Sequence, residues 1–168
     1  MNRTVLLTLP ALLALASCNR GGGEIEGVQS FQNKGGAHQE GRITYAQTPP
    51  AGGPHNPAWQ NCGVYDRPLY DEYAVHSLEH GAVWLSYQPG LPADQVGALK
   101  TLVEGRSYTL LSPHESQKAP LVLTAWNRQL VVQDVSDPRV KQFLQTYEQG
   151  GEAPEIGASC SGAYNGTV

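Results

Sequence analysis

Charge is scarce in this chain. Asp, Glu, Lys and Arg make up 15% of 168 residues, and acidic residues outnumber basic ones 15 to 11. That balance gives no electrostatic case for binding nucleic acid. Methionine is missing after Met1, so the mature chain offers no thioether of the kind that favours Cu(I). No apolar run approaches the roughly 18 residues a membrane-spanning helix needs. The three cysteines, Cys18, Cys62 and Cys160, form no Cys-x-x-Cys, which excludes thioredoxin-type redox chemistry.

The longest apolar stretch that does occur is Val5 to Ala16, after the basic Arg3. It is too short to span a bilayer and suits the core of a signal peptide. It ends in Leu15-Ala16-Ser17-Cys18, which resembles the lipobox read by the lipoprotein-processing peptidase. The expectation is a signal peptide over residues 1–17 and a lipid on Cys18. A polar, glycine-rich tether follows over 18–34, then one globular domain over 35–168. Such a protein sits in the cell envelope, lipid-anchored on the outer face of the cytoplasmic membrane or in the outer membrane. Its partners are the membrane, through that lipid, and an envelope protein.

With Cys18 taken by lipid, Cys62 and Cys160 remain as an even pair in an exported chain. A disulfide is the favoured reading. Free thiols or metal-binding thiolates are the alternatives.

Hydrophobic periodicity places the elements. Arg42 to Tyr45 reads as a short strand. Thr48 to Trp59 is a loop stiffened by four prolines, which fit neither a helix interior nor a central strand. Asp71 to His80 reads as a helix stopped by Gly81, and Ala82 to Gln88 as a strand. A helix from Pro92 to Glu104 and a strand from Ser107 to Leu111 follow. Leu121 to Ala125 and Gln129 to Gln133 form a hairpin turning near Asn127. A last helix opens at Asp137-Pro138, with Val140, Phe143, Leu144 and Tyr147 inward. The predicted fold is α+β: a small, mixed, partly antiparallel sheet with two to three helices on one face, preceded by a loop-rich, histidine-containing segment. A thioredoxin-like arrangement is compatible with that order.

Of five histidines, His38, His55, His76, His80 and His114, the pair His76 and His80 is the sharpest signal. Four apart on a helix, they share a face, and Glu72 and Glu79 fall on the same stripe. Imidazoles and carboxylates there can hold zinc or Cu(II), or they can form a solvated polar face. His55, in the rigid loop, and His38, after two glycines, extend the candidate site to His38, His55, His76, Glu79 and His80.

Pro49-Pro50-x-x-Gly53-Pro54-His55, then Trp59, Gly63-Val64-Tyr65 and His76-Ser77-Leu78-Glu79-His80-Gly81-Ala82-Val83 together resemble a family of domains of unknown function. It is found in exported or membrane-attached bacterial proteins and in some larger eukaryotic ones. The similarity continues through Thr124-Ala125-Trp126 and the stretch from Glu155 to Cys160. The resemblance implies no reaction.

Three functions are open to these residues. The first is a metal-binding lipoprotein with a copper or zinc ion. The second is an interaction module that docks an envelope partner through Trp59, Tyr65, Tyr70 and Tyr73. The third is a zinc-dependent hydrolase, because His76-x-x-Glu79-His80 has the order of the inverted zinc peptidases. There Glu79 would activate water, with Glu155 as a distant third ligand. An enzyme is the less favoured class. The anchor is tested by Cys18→Ser: labelling with a fatty-acid analogue should appear in the parent and vanish in the variant, and equal labelling in both removes the lipoprotein assignment.

Overall fold

The computed structural model describes residues 24–168. The expected signal peptide, Cys18 and the first residues of the tether lie outside the described residues. The described residues fold into an α+β structure with three helices and a six-stranded mixed sheet. In chain order the elements are β1 (Gln29–Ser30), β2 (Gly63–Val64), α1 (Asp71–Glu79), β3 (Val83–Tyr87), α2 (Ala93–Val103), β4 (Thr109–Pro113), β5 (Leu121–Ala125), β6 (Arg128–Val132) and α3 (Pro138–Tyr147). The sheet order is β1-β6-β5-β3-β4-β2. β4 lies parallel to β2 and β3, and every other neighbouring pair is antiparallel.

β3 is the axis of the fold, and all five of its residues are buried. Side chains alternate across a strand. Val83, Leu85 and Tyr87 therefore enter one core layer with Leu99 and Val103 of α2 and Val140, Phe143 and Leu144 of α3. Trp84 points the other way, to Ala74, Val75 and Leu78 of α1, Leu110 and Trp126. Its indole Nε1 donates to Ser112 Oγ at 2.9 Å, so the buried N–H is satisfied. The helices thus cover both faces of the sheet, not one as expected. The cause is Trp84: its large apolar surface on the second face needs a cover, and α1 supplies it.

Two expectations fail at the N-terminal side. Arg42 to Tyr45 forms no strand; Ile43 N instead donates to the buried Glu72 carboxylate at 2.8 Å. The chain expected as a tether over 18–34 is packed against the domain from Ile25 onward. Ile25 is buried against the core, β1 pairs with β6, and Asn33 N donates to Asn127 Oδ1 at 2.7 Å. Single polar residues around one apolar anchor carry no periodicity, so sequence alone reads them as linker. No helix among the described residues is long and apolar enough to cross a membrane.

α1 ends in a Schellman turn. Gly81 N donates to Leu78 O and Ala82 N to Ser77 O, with Gly81 at φ +93°. The left-handed turn is what calls for glycine; a Cβ there would also meet the movable end of the Gln149 side chain, Nε2, at 2.6 Å. The turn delivers the chain straight into β3.

The tail returns across the end of α1. Gln149 N donates to Gly81 O, Glu155 N to Glu79 O, and Cys62 N to Cys160 O. Cys62 and Cys160 form the disulfide, closing a separation of 98 residues. Cross-linking so long a loop removes much entropy from the unfolded chain. Replacing both cysteines with serine should lower the unfolding free energy by roughly 2–5 kcal/mol, measured by urea denaturation against the oxidised parent. An unchanged midpoint would show that the tail is held without the bond.

Candidate metal centre

The exposed face expected of a solvated polar stripe does not exist on α1. Glu72, His76, Glu79 and His80 are all buried, none more than 3% exposed. Ala74, Val75 and Leu78 anchor the helix to the sheet, and that fixes the opposite face toward the loops that precede the helix.

Those loops are laid along α1 by backbone bonds. Asn56 N donates to Glu72 O and Gln60 N to Tyr73 O, and Ser77 Oγ donates to Gln60 O at 2.6 Å. A single parallel bridge joins His38 to His55: Gln39 N donates to His55 O and His55 N to Ala37 O. Two histidines 17 positions apart in sequence are thereby placed side by side, their rings 5.1 Å apart between centroids. The His76 ring lies 5.0 Å from His38, 4.7 Å from His55 and 4.5 Å from His80.

The three buried histidines of this cluster are held the same way. Nδ1 of His55 donates to Gly53 O at 2.8 Å, Nδ1 of His76 to Asn56 O at 2.7 Å, and Nδ1 of His80 to Ser159 O at 2.6 Å. A carbonyl can only accept, so Nδ1 carries the proton in each neutral ring. Nε2 is then left with its lone pair aimed into the cluster. This is the tautomer and the outer support that metal-ligating histidines use.

Glu79 completes the arrangement. Its Oε1 accepts from Gly36 N at 2.6 Å, and its Oε2 lies 2.9 Å from His55 Nε2. A Cβ at position 35 would stand 2.5 Å from Glu79 Oε1 and from Pro154 Cγ, which is why glycine precedes Gly36 where the chain passes over the carboxylate. Neither His55 Nε2 nor Glu79 Oε2 makes a hydrogen bond, and both atoms are buried. Two acceptor lone pairs facing each other out of water are unfavourable unless a positive charge lies between them.

The donor atoms sort into two groups, each with all its atoms within 4.8 Å of one another: His38, His55, His76 and Glu79, and separately His76, His80 and Glu155. Either group could hold a metal ion. The structure therefore divides the candidate site that the sequence treats as one. His80 stands apart from Glu79 and His55, and pairs instead with Glu155, whose Oε2 is 3.5 Å from His80 Nε2. Glu155 was visible in sequence only as a distant acid. The carbonyls of Gly53, Asn56 and Ser159 have no sequence signal, because backbone oxygens occur at every position. Glu72 belongs to neither group; it faces Ile43 N and Arg42. His114 is also outside, 3.1 Å from Asp71.

Trp59 covers the row of rings, 5.8 Å from His76 and 5.1 Å from His80. Trp126 stands edge-on to His55 from the core side. Tyr73 stacks on Tyr164 at 4.0 Å, and the Arg42 guanidinium lies over Tyr70 at 4.5 Å. The aromatics considered for docking are thus largely engaged within the chain.

Burial lowers the His76 pKa to about 4, helped by the neighbouring histidines and opposed by the bond to Asn56 O. The neutral ring is the form the fold accepts. Below the ordinary histidine pKa of about 6.5 the unfolded chain takes up a proton that folded His76 refuses. Stability of the metal-free protein should therefore fall as pH drops from about 6.5 toward 4, and His76→Gln should flatten that slope in melts across the range. A parent and variant with parallel pH profiles would show that His76 does not set the acid sensitivity.

No curated protein and no solved structure matches this chain. The model of a family described as a protein of unknown function, DUF3105, matches residues 37–162, a span that holds every residue of both donor groups, and the chain belongs to that family.

Proposed function

We propose that this chain is an exported lipoprotein, anchored through Cys18 in the cell envelope, that binds one divalent transition-metal ion, Cu(II) or zinc, through His38, His55, His76 and Glu79. The observation that carries the reading is the buried pair His55 Nε2 and Glu79 Oε2, 2.9 Å apart and without hydrogen bonds. A metal ion between them satisfies both lone pairs at once. Zinc holds nitrogen and oxygen donors at about 2.0–2.2 Å in a tetrahedron, so donors already within 4.8 Å of one another need only small side-chain rotations to close on it. Three imidazoles and one carboxylate also suit Cu(II), and the lack of methionine disfavours Cu(I).

The competing occupant is a proton, which would make an imidazolium–carboxylate pair of His55 and Glu79. The hydrolase reading has less support. There Glu79 must face a water on an ion held by His76 and His80, yet its two oxygens are directed to Gly36 N and His55. The interaction module without metal leaves the fixed Nε2 lone pairs without a purpose.

Titration of Zn(II) and Cu(II) into the parent and into His55→Ala and His76→Ala separates these. Losing one donor of four should weaken binding by more than the about 10–100-fold that loss of a ligand's outer support costs. Cu(II) should also quench tryptophan fluorescence, since Trp59 and Trp126 flank the rings. A parent that binds neither ion more tightly than the double variant His55→Ala/His76→Ala overturns the reading in favour of the proton.

A further inference from the structure

The second donor group, His76, His80 and Glu155, differs from the first in the number of donors. The first offers four donors, enough to close a tetrahedral shell. The second offers three, which leaves a coordination position open. In setting the two are alike: each has one exposed member, His38 in the first and Glu155, with its side chain 50% exposed, in the second. The groups share one residue, His76, whose Nδ1 is committed to Asn56 O. It has a single free lone pair, on Nε2, so it serves one ion at a time. The two groups cannot both be complete.

The second group is also held in place. Glu155 N donates to Glu79 O, which sets the glutamate against the end of α1. The Ser159 carbonyl fixes the His80 ring, and the adjoining Cys160 is bonded to Cys62. The tail is therefore tied at three points around His80.

We propose that His76, His80 and Glu155 form an exchange seat: a second, open site for the same divalent transition ion, through which it passes between the closed seat and an oxygen- or nitrogen-donor ligand outside. This rests on the metal-binding reading above. In the transfer the ion keeps His76 Nε2. It gives up its bonds to His38, His55 and Glu79 and gains His80 Nε2, a Glu155 carboxylate oxygen, and a water or incoming donor at the fourth position. Its charge is unchanged and no electron moves. Stepwise exchange of donors around one fixed ligand avoids a bare ion in the protein, which is the costly alternative. One tight ion per chain follows from the single shared lone pair.

The test is the rate at which EDTA removes Zn(II) from the loaded full chain, followed by stopped flow with a chromophoric zinc indicator. Glu155→Gln and His80→Gln are compared with the parent, and His55→Ala serves as the reference for affinity. Glu155→Gln keeps the backbone bond to Glu79 and alters an exposed group, so its melting curve should match the parent and certify the fold. Extraction is expected to slow by about tenfold in both variants, a barrier rise of about 1.4 kcal/mol, while affinity falls far less than in His55→Ala. Unchanged extraction rates overturn the exchange seat and leave the closed site standing. An affinity loss as large as in His55→Ala also overturns it, by making His80 and Glu155 part of one site. Ester hydrolysis by the zinc-loaded parent that is lost in Glu155→Gln overturns it in favour of an open catalytic zinc. A parent that holds no Zn(II) overturns both proposals together.

Discussion

The carboxylate of Glu79 is fully buried, with no lysine or arginine paired to it among the described residues. A carboxylate out of water costs several kcal/mol unless it is paired and hydrogen-bonded. The loops before α1 meet that demand in two ways. Gly36 N comes down on one oxygen, and the His38–His55 bridge brings an imidazole to the other. The passage of residues 35–39 over the helix and the need for glycine at position 35 both follow from enclosing this one group.

Enclosure works only because α1 is fixed from the opposite side. The helix is nine residues long, too short to be stable alone. Ala74, Val75 and Leu78 pack on Trp84, Leu110 and Trp126, so the sheet holds it. Asp71 and Glu72 occupy its first turn, where negative charge complements the helix dipole. One side of α1 is core in the ordinary apolar sense, and the other is a polar interior of imidazole, carboxylate and backbone carbonyl. The division explains how so many titratable groups are buried in a small domain: most of their polar atoms are hydrogen-bonded, and two that are not, His55 Nε2 and Glu79 Oε2, face each other.

The tail contributes through position more than through packing. Residues 149–160 make few apolar contacts, Ala153 among them. They supply the Ser159 carbonyl to His80, the Gln149 amide to the His80 carbonyl, and the Glu155 carboxylate. The disulfide holds this strap where apolar burial alone gives little. A loop with so little apolar anchoring gains from a covalent one, and here it stands beside His80 and Glu155.

Local patterns in the sequence settled the elements that depend on nearest neighbours along the chain. The period of apolar residues located α1, β3, α2, the β5–β6 hairpin and α3 within a few residues; β4 was read two residues early because Ser107 and Tyr108 alternate like a strand while they lead into it. The i, i+4 spacing placed His76 and His80 on one helical face, and an even pair of cysteines pointed to a disulfide. What depends on distant parts of the chain was decided only by the tertiary structure. Trp84 determined that α1 covers the second face of the sheet. A one-residue bridge set His38 against His55. The tail brought Glu155 to His80 and so split one presumed cluster into two that share His76. The physical reason is that backbone hydrogen bonds between loops, and the carbonyls that orient the imidazoles, are available at every residue and leave no mark in composition or period; which of them are made depends on the whole packed chain.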